Sequence, residues 1–389
     1  MKNFFPKEYK KNRKLRINHS YLVEQFSDYS KIFKEIEKVV KKGDYTLGQK
    51  VDECEKNFSK ITGAKFAISV GNGTDALFLS LKALNIENGA EVITTPYTFI
   101  ATIGSIAASG AKPVFVDIKK DYNIDESKIE SVITKKTKAI IPVHFAGKPC
   151  DMNSIKTIAK KYNLKIIEDC AHAIGAKIRN KHVGMFGDAG CFSFYPTKNL
   201  TTFEGGMIIT NSKKIADNIR SLRNHGITKT LEDRFTKGKP WEYDVVIPGY
   251  NYRLDEIRAT LGISQLKRIN QNNLKRKRAF LHYNSKLKNK KSVITPKISK
   301  NETHSCHLYV LRVQKNKRFS RDYLFQKLLK NGIRSSVHYK PLHEFTAYKK
   351  YARIQAKLVN SKKIYQEIIS LPLYPQITKK QQNLVLENF

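Results

Sequence analysis

Acidic residues are scarce in this chain: 34 Asp and Glu stand against 72 Lys and Arg, a formal net charge of +38 over 389 residues. Such a surface attracts polyanions, so nucleic acid, anionic lipid and diphosphate-bearing small molecules are all compatible with it. A nucleic-acid reading, however, asks for basic residues interleaved with exposed aromatics on a recognisable module, and none is present. The densest run, Lys275 to Arg278 after Lys267 and Arg268, has helical spacing and reads as a solvated face in a chain enriched in lysine throughout. Cysteine is also sparse. Cys54, Cys150, Cys170, Cys191 and Cys306 form no C-x-x-C pair and have no histidine at metal-ligand spacing, which excludes a zinc motif and a disulfide framework. They read as small buried hydrophobes in a reducing compartment. No run of 18 or more apolar residues occurs, and the basic segment Met1 to Arg16 lacks the apolar run of a secretory signal. A cytoplasmic location is the expectation. Internal repeats and low-complexity segments are absent too.

What is present is an ordinary globular composition, 40% hydrophobic, in a chain long enough for one large and one smaller domain. Ile32, Phe33, Ile36, Val39 and Val40 fall at helical spacing within 28–42, and Gly43 is placed to cap that helix. A second helix is expected over 50–62. Strands over 66–70, 91–95, 113–118, 139–144 and 165–169 then alternate with helices over 74–84, 99–108, 126–133 and 152–162. Apolar runs of strand length alternating with amphipathic helices predict a mainly parallel sheet covered on both faces, with its ligand crevice at the carboxyl ends of the strands. Runs at 190–194 and 207–210, joined by a loop, predict an antiparallel or irregular part of that sheet. A long amphipathic stretch from Asp255 to about Lys286 leads into a strand at 307–313, a helix at 321–329, a strand at 333–339 and a helix near 361–369. The division read from this is a lead-in 1–27, a large domain 28–254 and a small α/β domain 255–389 that includes the long helix.

Two places carry chemistry. Ile166-Ile167-Glu168-Asp169 ends a buried strand on a carboxylate, where a cationic ligand could pair with it, although an acid there often only caps the next helix. Cys191-Phe192-Ser193-Phe194-Tyr195-Pro196-Thr197-Lys198 sets a lone lysine after an aromatic strand, ahead of Glu204-Gly205-Gly206. A lysine projecting into a dry crevice has its pKa lowered and can act as a nucleophile towards aldehydes. From composition alone it could equally be one more loop lysine. Gly71-Asn72-Gly73-Thr74-Asp75-Ala76 lies between a strand and a helix, where backbone amides and the Thr74 hydroxyl can hold a phosphate, or where the glycines simply allow a tight connection.

From about Tyr45 to Pro375 the chain resembles the DegT/DnrJ/EryC1/StrS sugar aminotransferases of the fold type I pyridoxal-phosphate class. The most specific part is Glu168-Asp169-Cys170-Ala171-His172-Ala173-Ile174-Gly175-Ala176, followed by Phe192 to Asn199 and Glu204-Gly205-Gly206. The resemblance implies that Lys198 forms the internal aldimine with pyridoxal 5'-phosphate and that Asp169 pairs with the protonated ring nitrogen. By the same resemblance Gly73, Thr74 and Ser193 hold the cofactor phosphate and Phe99 stacks on the ring. His172 lies near the ring oxygen, with a structural histidine as the alternative. Asn251, in Gly249-Tyr250-Asn251-Tyr252-Arg253, reaches the phosphate from the other subunit of a homodimer.

The implied reaction moves an amino group from glutamate to a nucleotide-linked keto sugar. Lysine at position 198 favours transamination over the dehydratase relatives that carry histidine there. Lys181, Arg223, His225 and Arg253 are candidate cations for the sugar diphosphate. His144-Phe145-Ala146-Gly147 and Lys198 to Gly206 look closer to members that aminate C4 of a 4-keto-6-deoxy sugar. Asn72-Gly73-Thr74-Asp75-Ala76-Leu77 is also common in those that aminate C3, which is the alternative. A non-catalytic relative kept as a sensor is a further alternative, against which an intact Lys198 and Asp169 speak.

Overall fold

The computed structural model describes residues 15–22, 24–227, 241–316, 319–354 and 357–389, together with Thr236 and Lys239. Of the expected lead-in, residues 1–14 and 23 lie outside the described residues. In chain order the first strands are β1 (Phe66–Val70), β2 (Glu91–Thr94), β3 (Lys112–Phe115), β4 (Thr137–Ile141) and β5 (Lys165–Asp169). A small hairpin, β6 (Lys177–Ile178) and β7 (Lys181–His182), precedes β8 (Ala189–Ser193) and β9 (Gly206–Thr210). Later come β10 (Val293–Ile294), β11 (Glu302–Thr303), β12 (Tyr309–Val313), β13 (Arg353–Ile354) and β14 (Ile368–Leu371). One eight-stranded sheet runs in the order β1, β9, β8, β5, β4, β2, β3, β13. Its centre, β8-β5-β4-β2-β3, is parallel, and β9 is antiparallel to both β8 and β1. The loop that joins β8 to β9 without a helix permits only the antiparallel pairing, because a parallel pair needs a long crossover.

Helices α1 (Tyr29–Lys42), α2 (Gln49–Thr62), α3 (Gly73–Ala83), α4 (Ile100–Ala108), α5 (Met152–Lys161) and α6 (Lys213–Leu222) belong to this half of the chain. Gly43 ends α1 at φ 76, a left-handed conformation that glycine adopts without a Cβ clash. The long helix Glu256–Leu287 begins where the Asp255 side chain accepts from the Arg258 amide. The next carboxylate, Glu256, is buried and accepts from the amides of Gly48, Lys50 and Val51 at 2.8–2.9 Å. Those are orphan donors at the start of α2, so one acid satisfies them and fixes α2 against the long helix.

A second core forms around the three-stranded sheet β10-β12-β14. Phe280, Tyr283, Leu311, Leu324 and Ile369 pack there, joined by Ile17 and Tyr21 from the N-terminal segment. The boundaries expected near residues 27 and 255 are therefore crossed in space. Ile17 bridges to Ile333, and β13 from the C-terminal block adds to the edge of the large sheet beside β3.

Three expected elements differ. Residues 126–133 make two short 3-10 turns, Glu126–Lys128 and Glu130–Val132, with the buried pair Ile129 and Val132 three residues apart, the spacing of one such turn. Residues 333–339 are no continuous strand; only Ile333 and Ser336 make isolated bridges. The last helix covers Val359–Glu367, and 368–371 is the buried strand β14, since its four apolar and small residues pair with β12.

Candidate active site

The parallel order puts the ends of β4, β5 and β8 side by side, and Asp169 sits at that edge. Its amide donates to Pro142 O at 2.9 Å and its carbonyl accepts from His144 N at 3.1 Å. The preceding residue points to the opposite face, as strand alternation requires. There Glu168, fully buried, accepts from the amides of Gly184, Phe186 and Gly187 at 2.6–2.8 Å and pairs with His144 Nε2 at 3.0 Å. His144 Nδ1 in turn accepts from the Cys150 amide. Glu168 and His144 thus anchor the loops that frame the strand end, while the Asp169 carboxylate lies on the other face, towards Thr102.

Asp169 is itself buried. Its Oδ2 accepts from Thr102 Oγ1 at 2.8 Å and its Oδ1 from the Ala171 amide at 3.1 Å. Burial holds the carboxyl above its ordinary pKa, opposed by the Ala171 and Thr102 hydrogen bonds and by the Lys198 charge. No ion-pair partner lies within 4 Å of it among the described residues. A buried carboxylate held by two donors and lacking a cation in contact is suited to a cationic ligand atom.

Lys198 hangs from the turn after β8. Its amide donates to Tyr195 O at 2.9 Å, and the Thr201 and Thr202 side chain and amide close the loop on Phe194 O. Burial lowers its ammonium from the usual value to about 8, with Asp169 pulling the other way. The amine is therefore partly neutral near neutral pH, the state a nucleophile or base requires.

Around this pair, His172 is buried, with Nδ1 accepting from the Ala146 amide at 3.3 Å and Nε2 3.3 Å from the Tyr339 hydroxyl. Burial and the Lys198 charge push its pKa well down, so the ring is neutral. An amide can only donate, hence the ring proton sits on Nε2, directed at Tyr339. His307 lies against His172 with ring centroids 4.4 Å apart and donates from Nδ1 to Asn199 Oδ1 at 3.0 Å. Phe99 is 53% exposed, which rules out simple core packing, and its ring is 6.0 Å from that of Tyr339.

The expected phosphate end is built by close approach. The Asn72 side chain accepts from the Asp75 amide and starts α3, leaving the first-turn amides of Gly73 and Thr74 without intrahelical partners. A Cβ on Gly73 would stand 2.7 Å from Ser193 Cβ, so only glycine lets the helix start meet the end of β8. Asn251 is exposed beside this turn, where Tyr252 O accepts from the Gly71 amide at 2.9 Å.

Among the expected diphosphate cations, Arg223 must be withdrawn. It is buried, and its Nη1 donates to Glu55 Oε1 at 2.7 Å and to Ser69 O at 2.7 Å, which ties α2 to β1 inside the fold. Arg253 donates to Asn224 Oδ1, His225 is exposed, and Lys181 is exposed on the β6–β7 hairpin over the Phe186 ring. None of these four lines the cavity of about 770 Å³ that opens at Lys198 and runs past His307, Leu308, His338 and Tyr339. Thr102, His307 and Tyr339 carry no local sequence signal for this site. They arrive from α4 and the C-terminal block by long-range packing, whereas Asn199 stands in the motif beside Lys198.

A crevice lysine of lowered pKa opposite a buried carboxylate, with helix amides and a serine hydroxyl at hand, defines on this fold an aminotransferase that uses pyridoxal 5'-phosphate. The chain belongs to the DegT/DnrJ/EryC1/StrS aminotransferase family, which it matches over residues 27–389. It is 37% identical over 351 residues to the UDP-4-amino-4,6-dideoxy-N-acetyl-beta-L-altrosamine transaminase of Campylobacter jejuni subsp. jejuni serotype O:23/36, covering 90% of this chain and 91% of that one. It is 39% identical to the dTDP-3-amino-3,6-dideoxy-alpha-D-galactopyranose transaminase of Aneurinibacillus thermoaerophilus, covering 90% and 92%. Among solved structures, the PLP-form of the putative sugar aminotransferase Spr1654 from Streptococcus pneumoniae superposes with a TM-score of 0.83 at 30% identity, covering 92% of this chain and 94% of that one.

Proposed function

We propose that this enzyme moves an amino group from glutamate to a nucleotide-linked keto sugar, at C4 of a 4-keto-6-deoxy sugar, with Lys198 holding the cofactor and Asp169 facing its ring nitrogen. The observation that carries the reading is the Lys198–Asp169 pair: an amine held near pKa 8 and a buried carboxylate, both at the carboxyl ends of the strands. Bound there, the cofactor supplies an electron sink for the carbon that loses its proton. The chain's own residues do the rest. Asp169, oriented by Thr102 and the Ala171 amide, keeps a cationic nitrogen protonated. Lys198, once free of the cofactor, takes up and returns the proton at the substrate carbon. Gly73, Thr74 and Ser193 receive the phosphate, Phe99 covers the ring, and neutral His172, held by Tyr339, lies on the ring-oxygen side.

We read residues 28–254 as the cofactor-binding domain and 255–389 as the smaller one. In a homodimer Asn251 of one protomer would serve the phosphate site of its partner. We place the enzyme in the cytoplasm; among the described residues no helix is long and apolar enough to cross a membrane. Amination at C3 is the second reading, favoured by similarity to the Aneurinibacillus transaminase, which is named for a 3-amino sugar. Incubating purified protein with pyridoxal phosphate, glutamate and a panel of nucleotide-linked 3-keto and 4-keto sugars, read by mass spectrometry, tests both. A 4-amino product supports the first, a 3-amino product the second, and no amine from any sugar removes both.

A further inference from the structure

Arg276 is buried, 2% exposed, on the inner face of the long helix. Its Nη1 donates to His307 O at 3.3 Å and to Leu373 O at 2.8 Å, and its guanidinium stacks on Tyr21 at 5.3 Å. Its Nε has no hydrogen-bond partner, and no carboxylate lies within 4 Å of it among the described residues. A buried guanidinium without a counter-ion is costly to maintain in an apolar interior. Arg276 lines the same cavity as Lys198.

The sheet explains what else reaches that space. Val310 pairs with Ser370, and Ser370 exchanges both backbone bonds with Ser336, at 3.1 and 2.8 Å, so the three form one row. Arg334, two residues before Ser336, lines the same cavity as Leu308 and Lys198. Lys330, at the end of the helix Arg321–Lys330, lines the cavity beside it. Among the described lining residues there are four cations, Lys198 included, and no Asp or Glu. The positive field is felt inside: His19, at the cavity wall, is held down to about 4, by burial first and then by Arg334 and Arg276.

We propose that Arg276, Arg334 and Lys330 form an anion-binding pocket, continuous with Lys198, that takes the anionic group of a substrate: the carboxylates of the amino donor or the diphosphate of the sugar acceptor. This rests on the proposed function for the identity of the two substrates. An anion at Arg276 supplies the missing counter-charge, and the apolar Leu308 and Leu373 line the cavity beside it. The pocket lies apart from the cations expected beforehand, and it is contributed by the small sheet and long helix of the same chain.

The test separates the two half-reactions in the holoenzyme. The cofactor's absorbance follows its conversion by glutamate alone, and a second experiment follows reloading by the keto sugar. Because Arg276 also ties the His307 and Leu373 carbonyls, the primary variant is the double substitution Arg334→Gln with Lys330→Gln at the pocket edge. Arg276→Lys, which keeps the charge but loses the planar fork, is the second. The expected result is a rise of at least tenfold in KM for one substrate in the double variant. A rise for glutamate assigns the carboxylates, a rise for the sugar assigns the diphosphate, and a rise for both assigns a shared pocket. In parallel, glutarate and UDP are tested as unreactive probes by thermal shift, with the wild-type stabilisation by the matching probe lost in the double variant. Both KM values within twofold of wild type, with unchanged probe shifts, would overturn the pocket. If the wild-type enzyme aminates no sugar, the proposed function fails, and the probe shifts still decide the pocket.

Discussion

Replacing Thr102 with Val removes one hydroxyl and almost no volume, and it isolates how the fold maintains Asp169 as an anion. The Thr102 hydroxyl donates to Asp169 Oδ2 at 2.8 Å and lies 2.9 Å from the Thr98 hydroxyl. A hydrogen bond to a charged group contributes about 1.5–3 kcal/mol. At about 1.4 kcal/mol per tenfold, its loss lowers kcat by roughly 10- to 100-fold if the ionised carboxylate is what keeps the cofactor nitrogen protonated. The same energy equals about 1–2 pKa units. The sign follows from the cause: the bond favours the ionised form, so its removal raises the Asp169 pKa further above its ordinary value. The acid limb of the rate profile therefore moves to higher pH. Thr102→Ser keeps the hydroxyl and should restore both kcat and the acid limb. The assay is steady-state kcat from pH 5 to 9 for the three proteins, with cofactor saturation checked by absorbance. A Thr102→Val enzyme within threefold of wild type, with its acid limb unmoved, would refute this account of Asp169.

Lys198→Met should abolish transamination yet raise the apoprotein's thermal stability at pH 7. The folded pKa of about 8 lies below the ordinary 10.5, so the buried ammonium weakens the wild-type fold up to pH 8. Between pH 8 and 10.5 the wild type regains that stability as the folded amine loses its proton first, and the gap should close; calorimetry at pH 7 and 9.5 checks it. Tyr339→Phe leaves the His172 Nε2 proton without its acceptor, 3.3 Å away, so about 1–3 kcal/mol of stability and a several-fold loss of kcat are expected from urea titration and rate assays. Arg223→Gln breaks the buried pair with Glu55 and should cost about 3–5 kcal/mol in stability with no change in KM for the sugar; a raised KM in a fully folded variant would return Arg223 to the substrate site.

The parallel core of the large sheet was legible because β2, β4 and β5 are short apolar runs buried on both faces, a pattern local enough to read along the chain. The turn from β8 to β9 was legible for the same reason, from an aromatic strand, a lysine and a glycine pair. The 3-10 turns at 126–132 were not, since Ile129 and Val132 fit a helix face and a single tight turn alike. Residues 333–339 carry strand-forming side chains, but their pairing partners are Ile17 and Ser370, far away in sequence. Composition also misled on Arg223: in a chain with so many cations, nothing local distinguishes a guanidinium paired with Glu55 from one offered to a ligand. Thr102 and His307 reach Asp169 and His172 only through packing between elements, and Arg276 reads in sequence as part of a solvated basic run, although the fold turns it inward.

Borohydride reduction of the holoenzyme, followed by proteolysis and mass mapping, tests the central claim most directly. The account predicts the reduced cofactor fixed on the ε-amino group of Lys198 and on no other of the chain's many lysines. A label on any other residue, or a holoenzyme that reduction leaves unlabelled, would contradict it.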